Sequence, residues 1–420
     1  MANVLFLSGN SMGDALGGSG RELRATFEDL GHEFIEIRLA EPDAFDVLNR
    51  AVAAGSIEFA FSHVGVGMEL SAKTSENREV NFWAAAGIPL ITFYGDSPAY
   101  FFDRHVLPGP GFAALYAFPE HLHFRKSLPL RRGILGLTPL HLIDPTPKHE
   151  IDFRAKQSGK LLFLKNGNDP QRLIQGWRDG LPLNAFGMLT DLAGELAGQI
   201  ASRVDWDLDA NVLEYFQAKG FDVEASTNLR LLFVAQLDDY LRRVKSTFIG
   251  ETLREFPVQV YGQHWEHVDF STGRATQVQG ADYAASKELI RHALGIVDMS
   301  PNTAMNPHDR PLRAFGLYTL CLTNQQQFFT KHFEQHAEFT YRFDKDSLRS
   351  TVADALAQPK RAVELGVEVA DAFRSRFDQR AFGRTILDIA SALRLATSPR
   401  PRDFPGYFAW PPTKLSSTGV

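Results

Sequence analysis

The stretch 295–324, GIVDMSPNTAMNPHDRPLRAFGLYTLCLTN, decides the fold. It predicts a short buried strand at 295–299, a polar loop at 300–309, then a helix, and a second strand at 320–323. A strand that delivers its loop to a helix N-terminus brings unpaired backbone N–H groups and the positive end of the helix dipole together. The stretch therefore predicts an anion-binding loop within an α/β unit.

Four side chains of this stretch are candidate ligand contacts. Asp309 is a typical helix N-cap, while His308 and Arg310 add donors and positive charge, and Asn302 adds an amide. The hypothesis is that the loop holds the diphosphate of a nucleotide-sugar. The alternative is an ordinary βαβ connection with a solvated arginine.

Composition sets the class of protein. The chain has 420 residues, of which 44% are hydrophobic and 22% charged, which predicts a globular protein of two domains. The net charge of −6 without a long basic run argues against a nucleic-acid partner. One cysteine, Cys321, lies in an apolar strand and is expected to be a buried hydrophobe. No apolar run reaches ~18 residues and no leader pattern is visible, so we expect a cytoplasmic protein without a transmembrane segment.

The first half begins as a doubly wound α/β unit. A strand at 4–7 is followed by a glycine-rich loop, a helix at 21–30 and a strand at 34–37. The glycines do not match the dinucleotide-binding spacing. Gly17 and Gly18 allow close approach of an acceptor to the backbone, and the alternative is a flexible surface loop.

Two residues at strand ends are candidate general bases. His63 follows the strand predicted at 59–62, and Asp96 follows the strand predicted at 88–93. The alternatives are a structural histidine and an aspartate that caps a helix at 99–104.

The run Asp144-Pro145-Thr146-Pro147 is typical of a linker. It predicts a domain boundary near 150, with domains at 1–150 and 151–395 and a helical insertion at about 186–252 in the second domain. The tail at 396–420 is rich in proline and aromatic residues and is expected to pack on the first domain or bind a partner.

Two strand ends of the second half supply further donor-site candidates. A strand at 160–164 leads into Lys165 and Asn166, and Lys165 is a second phosphate candidate. A strand at 257–261 opens into three more candidates, Gly262, His264 and Trp265. Trp265 is interpreted as flanking a nucleobase or as an ordinary core aromatic.

No metal site is predicted. The acids Asp205, Asp207 and Asp209 lack the glycine and the closing glutamate of a calcium loop, so they are interpreted as a solvated capping cluster.

Three segments resemble the CgeB-like glycosyltransferases of the GT-B group. They are LLFLKNGNDPQR at 161–172, FPVQVYGQHW at 256–265, and VDMSPN followed by HDRPLRAFGLYTLCLTN between 297 and 324. The resemblance implies two Rossmann-like domains facing a central cleft, with the nucleotide-sugar on the C-terminal domain and the acceptor on the N-terminal one. It also implies a metal-independent transfer without a cofactor.

Two positions depart from the family pattern. Arg313 stands where the family has the acidic residue that holds the ribose, and Tyr318 stands where it has a glycine. Arg313 is three residues after Arg310, so both arginines are predicted to clamp a diphosphate or an acidic sugar.

The predicted function is sugar transfer from a nucleotide-sugar to a hydroxyl or amide of a glycan, protein or small molecule. Alternatives are a sugar-nucleotide epimerase, a different GT-B transferase, or a non-catalytic sugar- or partner-binding protein, which Arg313 and Tyr318 favour.

Overall fold

The computed structural model describes residues 3–396 except 12–13, 74–75, 131 and 223–225. It divides into two compact units, one made of residues up to His141 together with the segment from Asp378, and one spanning Leu142–Phe377. The division thus falls at 142 rather than at the expected 150, and the last helix joins the first unit. The predicted tail lies outside the described residues, apart from Ala396.

The first unit is built on a parallel sheet with flanking helices. Its elements are β1 (Asn3–Ser8), α1 (Ala15–Arg21), α2 (Arg24–Glu28), β2 (Glu33–Arg38), α3 (Ala44–Ala53), β3 (Ile57–His63), β4 (Ser71–Lys73), β5 (Glu79–Asn81), α4 (Phe82–Ala86), β6 (Leu90–Tyr94), β7 (Phe112–Tyr116), α5 (Pro119–Ser127) and β8 (Ile134–Leu137). The six-stranded sheet has the order β2-β1-β3-β6-β7-β8, and β4 and β5 form a separate antiparallel pair.

The second unit repeats this plan with longer helical connections. Its elements are α6 (Phe153–Gln157), β9 (Leu161–Leu164), α7 (Pro170–Gly180), α8 (Leu183–Gly198), α9 (Leu208–Ala218), α10 (Thr227–Leu253), β10 (Gln259–Tyr261), β11 (Thr276–Val278), α11 (Tyr283–His292), β12 (Gly295–Val297), α12 (Asp309–Gly316), β13 (Leu320–Asn324), α13 (Gln327–His332), β14 (Thr340–Tyr341), α14 (Lys345–Ala357) and α15 (Pro359–Arg376). The sheet order is β11-β10-β9-β12-β13-β14, with all neighbours parallel.

Each sheet reverses its strand order once. Successive strands leave β1 in one direction through β2 and in the other through β3, and they leave β9 through β10 and β12 in the same way. In such sheets the crevice at the carboxyl ends of the two strands flanking the reversal is the usual ligand position. The two crevices of interest are therefore those at β1/β3 and at β9/β12.

The buried faces of the first sheet explain why these strands form. Phenylalanine rings of β1 and β3 pack in a common cluster, with Phe6 and Phe61 stacked at 5.0 Å between ring centroids. The helix α16 (Gln379–Ala396) covers this cluster through Phe382 and Ile386. This packing explains why the last helix belongs to the first unit.

The predicted α/β class with two Rossmann-like sheets is confirmed, and the expected helical stretch at 186–252 forms α8, α9 and α10. The glycine-rich stretch was wrongly predicted as a loop, because Gly17 and Gly18 lie inside α1. A Cβ at Gly20 would stand 2.0 Å from the Phe6 ring, so this glycine lets α1 pack directly on β1. Cys321 is buried in β13, as predicted.

Candidate anion-binding site

The crevice of the second unit lies where β9 and β12 end. Leu164 is the last residue of β9, and Asp298 follows the last residue of β12. The sequence brings both to one edge because the strands are parallel neighbours, with Ile296 opposite Leu162. The loop after β12 then leads to the N-terminus of α12.

A carboxylate, Asp298, organises this crevice. Its side chain is fully buried, and the His308 Nε2 lies 2.8 Å from its Oδ2. The other ring nitrogen of His308 lies 2.7 Å from Asp309 Oδ1. Burial lowers the pKa of His308, but the carboxylates of Asp298 and Asp309 raise it further, so the net shift is upward. A carboxylate at each ring nitrogen favours the doubly protonated, charged form of His308.

Asp309 has a different position from the one expected. It is the first residue of α12, and His308 takes the N-cap position. The Asp309 side chain is 68% exposed. Because a carboxylate repels phosphate, Asp309 holds His308 in place instead of contacting the donor.

Arg310 connects the two strand ends. Its Nη1 donates to the Leu164 carbonyl at 3.0 Å and lies 3.5 Å from Asp298 Oδ1. The side chain keeps 21% of its surface exposed. Arg310 is thus held in the crevice with part of its side chain exposed.

Lys165 is a cation of this crevice without a carboxylate beside it. Within the described part of the chain, its ammonium forms no hydrogen bond or ion pair. Burial lowers its pKa to about 8, the positive charges of Arg310 and Arg242 add to this effect, and the carboxylates of Asp298 and Asp309 oppose it. An anion that entered the crevice would offset both the desolvation of Lys165 and its repulsion by the two arginines, and it would raise the pKa of Lys165.

The loop after β10 packs closely against the backbone of Lys165 and Asn166. Gly262 has φ +149°, and a Cβ there would stand 2.2 Å from the Lys165 carbonyl oxygen. The Asn166 Oδ1 accepts a hydrogen bond from the Gln263 amide at 2.9 Å. Gly262 therefore lets the loop after β10 lie close to the loop after β9. The sequence had predicted that it lets a ligand come close to the backbone.

Trp265 does not flank a nucleobase. It is 1% exposed, its ring centroid lies 5.9 Å from that of Phe163, and its Nε1 donates to the Lys165 carbonyl at 2.9 Å. The core interpretation is correct, and the indole positions Lys165. His264 is exposed, with φ +63°, and its carbonyl accepts from the Asn168 amide.

Asn302 is also turned away from the role predicted for it. It is 4% exposed, and its Nδ2 donates to Asp238 Oδ1 at 2.8 Å and to the Asp238 carbonyl at 3.0 Å. Its amide donor therefore binds α10, so Asn302 ties the loop after β12 to that helix.

The predicted clamp of Arg310 with Arg313 is wrong. Arg313 Nε lies 3.0 Å from Asp144 Oδ2, and its Nη1 donates to Ser286 Oγ at 2.8 Å. Its guanidinium carbon lies 3.6 Å from the Tyr283 ring centroid. Arg313 is buried among these three partners, and it stabilises the packing of α11 on α12.

Tyr318 stands where the resemblance implies a glycine, and its backbone has the conformation that a glycine adopts most easily. Its φ is +53°, in the left-handed region that favours glycine. Arg374 lies 4.5 Å and Lys148 5.6 Å from its ring centroid, and the residue is 5% exposed. The ring contacts offset the backbone strain, which a glycine would avoid.

The crevice of the first unit holds His63, at the end of β3. Its Nε2 is buried without a hydrogen-bond partner among the described residues, and its ring packs against Phe6 and Phe93. Burial lowers its pKa to about 4, with a smaller contribution from His141. His63 is therefore neutral near pH 7, with a ring nitrogen that can accept a proton.

Asp96 is exposed in the loop after β6. The helix predicted at 99–104 is a short 3₁₀ turn at Phe102–His105 instead. The N-cap position of this turn is Phe101, which makes no side-chain cap bond, so the capping role expected of Asp96 is not found at this turn.

Sequence reasoning missed Asp298, although the signal was visible. An aspartate directly after the apolar run GIV, followed ten residues later by a histidine and an arginine, marks a carboxylate at a strand end facing two cations. The sequence interpretation of Asp209 as a solvated acid is wrong. Asp209 is buried and forms an ion pair with Arg230 at 2.5 Å, while Asp207 caps α9 through the Ala210 amide.

Comparisons with known proteins identify similar solved structures. The T4 phage BGT in complex with UDP and Mn2+ is 9% identical, with 93% of this chain and 99% of that chain covered and a TM-score of 0.48. A glycosyltransferase from Rickettsia africae is 9% identical over 93% and 98% of the two chains, with a TM-score of 0.41. AviGT4, a glycosyltransferase involved in avilamycin A biosynthesis, is 11% identical over 94% and 98%, with a TM-score of 0.46.

These TM-scores lie below 0.5, so the similarities carry no argument about what this chain binds. No protein-family model and no curated protein matches the sequence. The CgeB-like assignment therefore stays a prediction. None of the helices in the described residues is both long and apolar enough to cross a membrane.

Proposed function

We propose that the second unit binds the diphosphate of a nucleotide-sugar and that the chain transfers the sugar to a hydroxyl or amide acceptor. The observation that carries the proposal is the Lys165 ammonium. It has no ion pair among the described residues, yet it stands in a crevice with Arg310 at the end of β9. Burial and two neighbouring arginines disfavour the charge of Lys165, and Asp298 and Asp309 offset only part of this effect, so an anion in the crevice would stabilise the charged form.

Three further features support an anionic ligand, and they suit the oxygens of a phosphate. The N-terminus of α12 opens at the same strand ends, and helix N-termini favour phosphate oxygens. Carboxylates at both ring nitrogens favour the charged form of His308. Arg310 presents a planar donor fork, which suits phosphate oxygens.

In the proposed reaction the acceptor oxygen bonds to the anomeric carbon while the bond from that carbon to the diphosphate oxygen breaks. Lys165 and Arg310 stabilise the negative charge that gathers on the leaving diphosphate, the kind of effect that contributes most in such transfers. His63 takes the proton of the acceptor, and Asp96 is the second candidate base. Metal independence, which the resemblance implies, remains part of the proposal.

A non-catalytic sugar- or partner-binding protein is the second candidate. Arg313 and Tyr318 favoured it in the sequence, but their side chains are engaged in the packing of α11, α12 and α15. We therefore keep active transfer as the first proposal.

The first test is a thermal-shift screen with uridine, guanosine, cytidine and thymidine diphosphates and their sugars. A binding nucleotide raises the melting temperature, because it stabilises only the folded protein. Lys165→Gln and Arg310→Ala should each lose most of the shift, whereas Lys360→Gln, a charge loss on the surface of α15, should keep it. A shift equal in all three variants would refute the phosphate assignment.

A further inference from the structure

The helix α10, from the long insertion, runs along the loops that end the central strands of the second sheet. The Ser246 hydroxyl donates to the Gly167 carbonyl at 3.0 Å, and Arg243 Nη1 donates to the Asp169 carbonyl at 3.2 Å. Both carbonyls belong to the loop after β9. The insertion is therefore attached to the crevice itself.

The same helix also reaches the loop after β12. Arg242 Nη2 lies 2.8 Å from Asp238 Oδ2, and the other oxygen of Asp238 accepts from Asn302 Nδ2 at 2.8 Å. Arg242 thus stands on the segment of α10 that bridges the two loops flanking the crevice. Its side chain keeps 22% of its surface exposed.

Close packing fixes the position of α10. A Cβ at Gly250 would stand 2.5 Å from the Trp265 ring, so only glycine lets the helix lie against this indole. The same indole donates to the Lys165 carbonyl. Trp265 therefore fixes the position of α10, which carries Arg242, and also the position of the Lys165 backbone.

The charges of the crevice agree with this geometry. Arg242 and Arg310 both lower the pKa of Lys165, after the larger effect of burial, so Lys165 feels both arginines. Arg310 is held at the end of β9, and Arg242 is held from the opposite element, α10. Three cations carried by the loop after β9, by α12 and by α10 suit an anion longer than a single phosphate.

We propose that Arg242 is a third phosphate-binding side chain, and that the ligand is a diphosphate extending from Arg310 to Arg242. This inference rests on the proposed function, and it assigns part of the donor site to the helical insertion.

The neighbouring residue provides a matched control. Arg243 is also 22% exposed and also forms an ion pair at 2.8 Å with the residue four positions earlier, Asp239. The test compares Asp238→Asn/Arg242→Gln with Asp239→Asn/Arg243→Gln. Each double variant removes one positive and one negative charge. Asp238 is the more buried acid and accepts from Asn302 Nδ2, a bond that the amide oxygen of asparagine can still accept.

Calorimetric titration of the full chain with the nucleoside diphosphate selected in the screen, and with its monophosphate, provides the readout. The Asp238/Arg242 variant should bind the diphosphate about tenfold more weakly than the control variant, as expected for one lost charge-assisted contact. Its affinity for the monophosphate should change less than about twofold, because Arg242 contacts the second phosphate. Arg242→Lys should recover part of the diphosphate affinity.

Equal diphosphate affinities of the two double variants overturn the role of Arg242. An equal loss for monophosphate and diphosphate overturns the extended ligand. If the unaltered chain binds none of the diphosphates, the proposed function itself fails, and that result is distinct from the other two. Circular dichroism melting of both variants identifies a folding defect, in which case Arg242→Lys alone decides.

Discussion

The two crevices of this protein have the same origin in sheet topology and opposite electrostatic character. At β9/β12 the side chains are Lys165, Arg310 and His308, whose charged form is favoured, and the buried Asp298 pairs with the last two. At β1/β3 His63 is neutral and packed among phenylalanines, and the charges beside the end of β1 are paired, Arg21 with Glu36. The difference indicates that an anionic ligand belongs to the second unit, whereas an uncharged hydroxyl fits the first.

The largest effect is expected from removing the charge that holds the second crevice together. Asp298→Asn leaves His308 and Arg310 without their buried counter-charge, which should lower the free energy of unfolding of the second unit by about 3–5 kcal/mol. Hydrogen exchange should accelerate at the amides of β9, β12 and β13 and stay unchanged in β1 and β3. Asp309→Asn, at an exposed carboxylate, is the control and should cost far less.

If Asp298→Asn destabilises both sheets equally, the carboxylate does not act locally. If it destabilises neither, the charges around it are solvated, and the contrast between the two crevices is wrong.

His63→Gln tests the other crevice. We expect the transfer rate to fall about a hundredfold, the effect typical of losing a general base, while the diphosphate affinity of the second unit is retained. Because the pKa of His63 is lowered to about 4, the proton that would block it binds only in strong acid. The acid limb of kcat/KM should therefore lie near pH 4, well below the ordinary histidine range near 6.5.

An acid limb near 6.5 would assign catalysis to another group. His149→Gln, which replaces an exposed histidine, serves as the control and should leave both the rate and the profile unchanged.

The pH dependence of diphosphate binding gives a smaller but sharper test. Lys165 has a pKa lowered to about 8, so most of its charge is present near pH 7 and is lost as the pH rises towards 9. If the charged form binds the anion, affinity should fall about tenfold over this range. Lys165→Arg, which stays protonated, should abolish the decrease, since arginine keeps its charge throughout.

An unchanged affinity of the original chain between these pH values would remove Lys165 from the site. A decrease that persists in Lys165→Arg would assign the titration to a different group.

Much of the fold was predictable because its signals are local. Short apolar runs followed by turn residues marked nearly every strand of both sheets, and four-residue apolar spacing marked the helical insertion. The glycine-rich stretch failed because helix α1 forms by packing on Phe6, a contact that sequence spacing does not show. The membership of α16 in the first unit likewise depends on long-range packing of Phe382.

The site was predicted less well than the fold. Lys165 and Arg310 were predicted from their positions after β9 and at the start of α12, and the structure brings them together. Arg313, three residues further along the helix, was misplaced because its partner Asp144 lies far away in the sequence. Helical spacing shows on which face of the helix a side chain lies, but it does not show which carboxylate that side chain contacts.

The contact between Gly250 and Trp265 has a consequence for redesign of this protein. A long insertion between two strands of a Rossmann-like sheet looks like a module that could be trimmed or exchanged. Here the indole is buried against α10 while it holds the carbonyl of Lys165, so shortening the insertion would empty one side of the indole and release the lysine. A smaller version of this domain needs a replacement surface for Trp265 before it needs new loops.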